Sequence, residues 1–208
     1  MIIDELWIAF VHNLCVYAGF LLNPLFKLIS FLGEKAWFFV LISLLLFLGK
    51  KTRWIGATAI LSIFLGFIVS DFLIKPFVMR LRPYESSKIY QDHWTMAGAI
   101  PDTNSSMPSG HTIGCAAFFI SIYITCKKNM KKKVFIAGII CTMLMILART
   151  YLMHHYLTDC LVSVILSLLL SFLSKFIVKG VHSFLKSNED IGLFSFILNF
   201  DLYSLFLK

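Results

Sequence analysis

Arg149, His154, His155 and Asp159 fall within eleven residues of a chain whose other charged residues are sparse and gather mostly at the edges of apolar runs. His155 and Asp159 are four positions apart. If a helix starts near His155, the carboxylate sits one turn below the imidazole and can accept its ring hydrogen. The other ring nitrogen is then unprotonated and turned outward, as in an oriented nucleophile or base. The same spacing also suits an interfacial histidine that is merely paired with a carboxylate. Arg149 and His155 are six positions apart, about 600° of helix, so they share no helical face and meet only through a break.

Two further clusters carry the same kind of chemistry. In KPFVMRLRPY, the cations Lys75, Arg80 and Arg82 follow a long apolar run, and Pro76 and Pro83 restrict the backbone. One such cation would suit a lipid phosphate; three together suit a bound anion. In SSMPSGHT, residues 105 to 112, Pro108 can precede or begin a helix, Ser109 can cap it, and Gly110 lets the backbone approach a ligand. Free amides at a helix start cradle phosphate, and His111 sets a titratable group beside them.

The elements that must position these residues are apolar. Of 208 residues, 59% are hydrophobic and 14% charged, which excludes an ordinary soluble globular domain. Charge-free stretches at 6–26, 36–49, 54–70, 109–126, 134–148 and 160–174 predict an all-α, polytopic membrane helix bundle of about six transmembrane helices. The first is interrupted by His12, Asn13, Gly19 and Pro24 and either spans or lies tilted in the interface. The chain divides into an N-terminal hydrophobic helix over 1–30, a core over 31–180 and a tail over 181–208. The tail is too short an apolar run to span comfortably and suits the interface.

Lys50, Lys51 and Arg53, then KKNMKKK, then Lys175, Lys179 and Lys186 follow alternate spans and so share one side, the cytoplasm by the positive-inside rule. That topology accounts for the net charge of +8 without nucleic acid. All three polar clusters fall on the opposite face. Five scattered cysteines in apolar surroundings predict neither a disulfide framework nor a metal site. Asp4 and Glu5 stand where a cleaved leader would be basic, so the first segment is expected to stay.

Lys75 with Arg82-Pro83, then Pro108-Ser109-Gly110-His111, then Arg149, His155 and Asp159 reproduce in order and spacing a three-part signature. By it the chain resembles the type 2 phosphatidic acid phosphatase family, whose site is shared with acid phosphatases and vanadium haloperoxidases. The likeness covers about residues 31–176, and the one departure is Ala148 where the family usually has Ser. The resemblance implies that His155 attacks phosphorus to form a phosphohistidine, that Asp159 fixes its tautomer, and that His111 protonates the leaving oxygen. It implies that Lys75, Arg82 and Arg149, the Ser109 hydroxyl and the amides near Gly110 hold the phosphoryl oxygens. No cofactor or metal is called for. His154 and Arg80 fall outside the signature, and Arg80 is assigned to lipid headgroups.

The substrate class that follows is a lipid mono- or diphosphate whose tails stay in the bilayer, and undecaprenyl diphosphate is one that suits so small a chain. Phosphatidylglycerophosphate, phosphatidate and lipid A phosphates compete with it, because the motifs read phosphate and not the tail. Tyr90, His93 and Trp94, in the loop from Tyr84 to Met107, are candidates for selecting the headgroup. A transporter or channel would need inverted repeats and interrupted midplane helices, and neither is visible. A haloperoxidase is disfavoured by the hydrophobic spans.

Overall fold

The computed structural model describes residues 2–102 and 104–206, and all regular structure among them is helical. Helix α1 (Ile2–Gly33) is followed by α2 (Trp37–Leu48) and α3 (Arg53–Ile68). A π-helical turn (Val69–Ile74) continues α3 into α4 (Lys75–Val78). After α5 (Pro83–Ser86) and α6 (Lys88–Ala97), the chain forms α7 (Gly110–Thr125), α8 (Lys128–Tyr151) and α9 (Leu157–Ser187). Two short helices, α10 (Gly192–Asn199) and α11 (Tyr203–Phe206), close it. Ile2–Leu48, Arg53–Ser86, Lys128–Tyr151 and Leu157–Ser187 are long and apolar enough to cross a membrane, and Gly110–Thr125 is a shorter apolar helix.

The bundle buries many small polar side chains beside its apolar clusters, and its outer faces are apolar. Ser62, Ser121, Ser163, Ser167, Ser171 and Ser174 are buried, while Phe64, Met143, Ile165, Leu169, Phe172 and Phe176 are exposed. Small side chains let the helices approach closely where lipid tails supply no hydrophobic drive between them. Ser171 bonds Ser62 at 2.8 Å and Ser121 at 3.3 Å, joining α9 to α3 and α7. A Cβ on Gly66 would meet Ile113 Cγ2 at 2.4 Å, and one on Gly114 would meet Ala36 Cβ at 2.5 Å.

The five helices α2, α3, α7, α8 and α9 alternate in direction between two ends. Lys175 Nζ donates to the Ile124 carbonyl at 2.9 Å, so the basic stretch after α7 and the lysines of α9 share one end. The α2–α3 turn, with Lys50 and Lys51, belongs to that end too. There the tail folds back: Arg53 donates to the carbonyls of Leu198 and Phe200, and Lys50 Nζ to Asn199 Oδ1 at 2.9 Å. The last two tail residues, Leu207 and Lys208, lie outside the described residues.

Helix α1 behaves unlike the others, because its partners all lie at the end that carries the motifs. Trp7 Nε1 donates to Thr150 Oγ1 at 2.8 Å and Ser30 Oγ accepts from Arg149 at 2.6 Å. A straight helix would separate Trp7 and Ser30 by roughly 34 Å, more than these side chains can bridge to two adjacent residues. The helix is therefore bowed around the end of α8. Pro24 lies inside it and supplies the missing amide and the steric push of a bend. An upright first span would have carried Asp4 to the basic end. Asp4 instead accepts from the Thr158 amide at 3.0 Å at the start of α9.

Candidate active site

The motif end is built by the finish of α3–α4, the start of α7, the finish of α8 and the start of α9. The π-helical turn widens the helix just before Lys75, and such turns recur where a helix must re-aim a functional side chain. Met79 takes a left-handed conformation (φ 44°) and ends α4, after which the backbone is extended through Arg82. Pro83 then starts α5, and Glu85 Oε2 accepts from the Arg82 amide at 2.9 Å. Ser109 caps α7, so the first-turn amides of Gly110 and His111 have no acceptor within the helix.

These elements enclose one cavity of about 660 Å³ whose wall includes Lys75, Arg82, Gly110, His111, Arg149 and His155. Three sequence clusters separated by up to eighty residues thus meet in one space. Arg82 is 1% exposed and Arg149 3% exposed. Arg82 Nη1 donates to the His154 carbonyl at 2.9 Å and lies 3.4 Å from His155 Nε2. Arg149 Nε is buried and has no hydrogen-bond partner among the described residues. Buried donors are rarely left this way, and an anion bound in the guanidinium plane would accept the hydrogen bond that this donor can give.

His155 is oriented differently from the expectation. Its Nδ1 bonds the Ser106 carbonyl at 2.5 Å, while Asp159 Oδ2 is 3.9 Å away. The reason is local: α9 begins at Leu157, so His155 precedes the helix and the four-residue spacing does not stack the ring on the carboxylate. Asp159 caps α9 instead, accepting from the Tyr156 amide at 2.8 Å, and accepts from the Ser106 hydroxyl at 2.5 Å. Ser106 thus links the two: hydroxyl to Asp159, carbonyl to His155. With Nδ1 carrying the proton, Nε2 keeps its lone pair on the Arg82 side. Burial, and then the nearby Arg149 and Arg82, hold His155 well below the ordinary imidazole range, so the ring is neutral at pH 7.

Two other readings from sequence need correction. Ser109 is fully buried behind the wall, and its hydroxyl oxygen accepts from Thr112 Oγ1 at 3.0 Å, so it is turned onto its own helix and not toward the cavity. Arg80 does not reach for headgroups. It pairs with Asp159 at 2.5 Å and with Asp4 at 3.0 Å, and its guanidinium lies 3.9 Å over the Tyr156 ring.

Reasoning from sequence assigned Asp4, Asp102 and Ser106 no part in the site and set His154 aside. Asp102 Oδ2 lies 2.9 Å from Arg82 and 3.8 Å from Arg149. His154 Nε2 bonds the Ile100 carbonyl at 2.7 Å, which ties the segment around Asp102 over the cavity. Burial, followed by the charge of Arg149, pushes His154 down to about 3, so it is a neutral donor there. Adjacency to the motifs was the available signal for Ser106 and His154; nothing local marked Asp4. Of the three headgroup candidates, His93 and Trp94 turn inward, His93 onto the Tyr151 carbonyl at 2.9 Å and Trp94 onto Tyr84 with ring centroids 5.0 Å apart. None of the three lines the cavity. Thr103, in the same loop, lies outside the described residues.

Residues 51–182, more than half of the chain, match the family model described as the PAP2 superfamily. The chain belongs to the PAP2 superfamily. Among solved structures it is similar to the crystal structure of the first transmembrane PAP2 type phosphatidylglycerolphosphate phosphatase from Bacillus subtilis. The two share 24% identity and a TM-score of 0.61, over 83% of this chain and 86% of that one. At that identity the likeness concerns the fold. No curated protein matches the sequence. A PAP2 member whose helices are long and apolar enough to cross a membrane is a membrane phosphatase, and Lys75, Arg82, Gly110, His111, Arg149 and His155, drawn from all three sequence clusters, line the cavity.

Proposed function

We propose that this PAP2 member hydrolyses a lipid phosphate through a phosphohistidine on His155. The observation that carries the reading is the neutral His155 ring, its Nδ1 held by the Ser106 carbonyl and its Nε2 set 3.4 Å from the Arg82 guanidinium in the wall of the cavity. A phosphoryl group bound by Arg82, Arg149, Lys75 and the amides of Gly110 and His111 would present phosphorus to that nitrogen. The N–P bond forms as the P–O bond breaks, and His111, turned into the imidazolium by the negative charge of the bound phosphate, gives the leaving oxygen its proton. Water then attacks the phosphohistidine, His111 takes the water proton, and inorganic phosphate and neutral His155 are released. The cations supply the charge neutralisation.

Asp159 acts through Ser106 in this reading, by fixing the carbonyl that holds the His155 tautomer. The apolar outer faces support a substrate whose tails remain in the bilayer. A long prenyl diphosphate, phosphatidylglycerophosphate, phosphatidate and lipid A phosphates all satisfy the motif chemistry. The site faces away from the cytoplasm, a placement supported by the basic loops at the opposite end.

The test is phosphate release from purified lipid mono- and diphosphates in detergent, beside His155→Ala. Acid-labile label from a ³²P substrate should be trapped on the wild type and absent from the variant. Turnover that persists in His155→Ala would refute the assignment.

A further inference from the structure

The same cavity holds two cations that lie outside the matched family region, Lys27 on α1 and Lys35 between α1 and α2. We infer that Lys27 and Lys35 form a second anion subsite on the leaving-group side of the cavity, which takes a phosphate adjoining the scissile one. This rests on the phosphatase reading above and narrows its substrate to lipids with two neighbouring phosphates.

Position comes first. Ser30, one turn from Lys27, bonds Arg149. Gly33, two residues before Lys35, packs on His111, since a Cβ there would meet the ring at 3.2 Å. Lys27 and Lys35, both exposed, therefore stand on the α1 side of the cavity wall, the side from which Ser30 reaches Arg149 and Gly33 packs on His111, the group assigned to protonate the leaving oxygen. A leaving group that is itself a phosphate would depart toward them.

Backbone strain and charge support this placement. Lys35 (φ 47°) and Ala36 (φ 53°) are consecutive non-glycine residues in the left-handed region, which side chains other than glycine disfavour. That break stops α1 and turns Lys35 into the cavity wall. Gly98, with φ +62°, leaves room for Lys27: a Cβ there would lie 2.7 Å from its ammonium. Among the wall carboxylates, Asp71 pairs with Lys75 and Asp102 with Arg82 and Arg149. Glu34 also lines the wall, yet Lys27 and Lys35 form no ion pair among the described residues. Their charge is available to a ligand, and the cavity is far larger than one phosphate.

On a diphosphate the bond from the outer phosphorus to the bridging oxygen breaks, the outer phosphoryl passes to His155, and the bridging oxygen leaves on the inner phosphate with the proton from His111. Lys27 and Lys35 offset the charge that builds on that inner phosphate.

The experiment compares farnesyl diphosphate with farnesyl monophosphate, and phosphatidylglycerophosphate with phosphatidate, for wild type, Lys27→Gln/Lys35→Asn and Lys27→Arg/Lys35→Arg. Asparagine tolerates the left-handed backbone at position 35. The neutral pair should lower the diphosphate-to-monophosphate ratio of kcat/KM by at least roughly 10-fold, the scale of one charge-assisted contact, and the arginine pair should restore it. A parallel fall for phosphatidylglycerophosphate relative to phosphatidate assigns the subsite to any adjoining phosphate; a fall confined to the prenyl pair assigns it to diphosphates. An unchanged ratio in both pairs overturns the inference. A wild type no faster than His155→Ala on every lipid would overturn the phosphatase reading and this inference with it.

Discussion

The carboxylate of Asp102 is seated on the guanidinium of Arg82, Oδ2 to Nη2 2.9 Å, with Arg82 buried and Asp102 on the solvent side. A carboxylate in that position occupies donors that a phosphoryl oxygen would use. Asp102→Asn should therefore strengthen inhibition by vanadate, which mimics the trigonal-bipyramidal phosphorus, by about 10-fold or more. Inhibition constants for both enzymes, measured with one soluble short-chain lipid phosphate, check this. Equal or weaker inhibition of the variant would mean that Asp102 supports the arginines and does not compete for them.

His111 and His155 are separable by leaving group. A lipid alkoxide needs a proton as its bond to phosphorus breaks, whereas p-nitrophenolate does not. General acid catalysis is worth ~10²–10⁴-fold, and the benefit shrinks as the leaving group improves. His111→Ala should cripple hydrolysis of a lipid monophosphate far more than that of p-nitrophenyl phosphate, while His155→Ala abolishes both. Each variant is first matched to the parent in folding and insertion. Equal slowing of the two substrates by His111→Ala would reassign it to phosphate binding.

Acid should destabilise the fold through His93 and His154, which like His155 lie outside the spans and are held neutral by burial. Burial, as the largest cause, lowers His93 to about 4 and His154 to about 3. An unfolded imidazole takes up its proton near pH 6.5, so below that value the unfolded chain binds more protons than the folded one. Stability is thus full above about pH 6.5 and falls as the pH drops toward 4, by up to about 1.4 kcal/mol per unit for each histidine. Melting in detergent across that window should show a shallower slope for His93→Gln than for the parent, a difference that vanishes if His93 is not held neutral.

The orientation of the site is open to labelling. Ser86 lies at the motif end and Asn129 at the basic end, and both are exposed. Single cysteines at these positions, in a background without the native five, should react with an impermeant reagent on intact cells at 86 and not at 129. The reverse pattern would place the site in the cytoplasm.

Much of this protein was legible in its sequence, for reasons that are local. Apolar runs without charge must be helices in lipid, where every backbone group needs an internal partner. Lysine spacing sorted the connectors to one end, and type and interval marked out Lys75, Arg82, Gly110, His111, Arg149 and His155, which the fold gathers around one cavity. What tertiary structure decided are contacts between segments far apart in the chain. The Arg80 to Asp4 pair joins residues 76 apart, and the His155 bond to the Ser106 carbonyl joins residues 49 apart. A spacing of four residues predicts a side-chain pair only on a continuous helix, and the helix at His155 starts two residues too late. The bow of α1 follows from Pro24 together with the end of α8 that it wraps and carries Lys27 to the cavity, while the break at Lys35 and Ala36, where Ala36 packs closely on Gly114, sets Lys35 in the same wall.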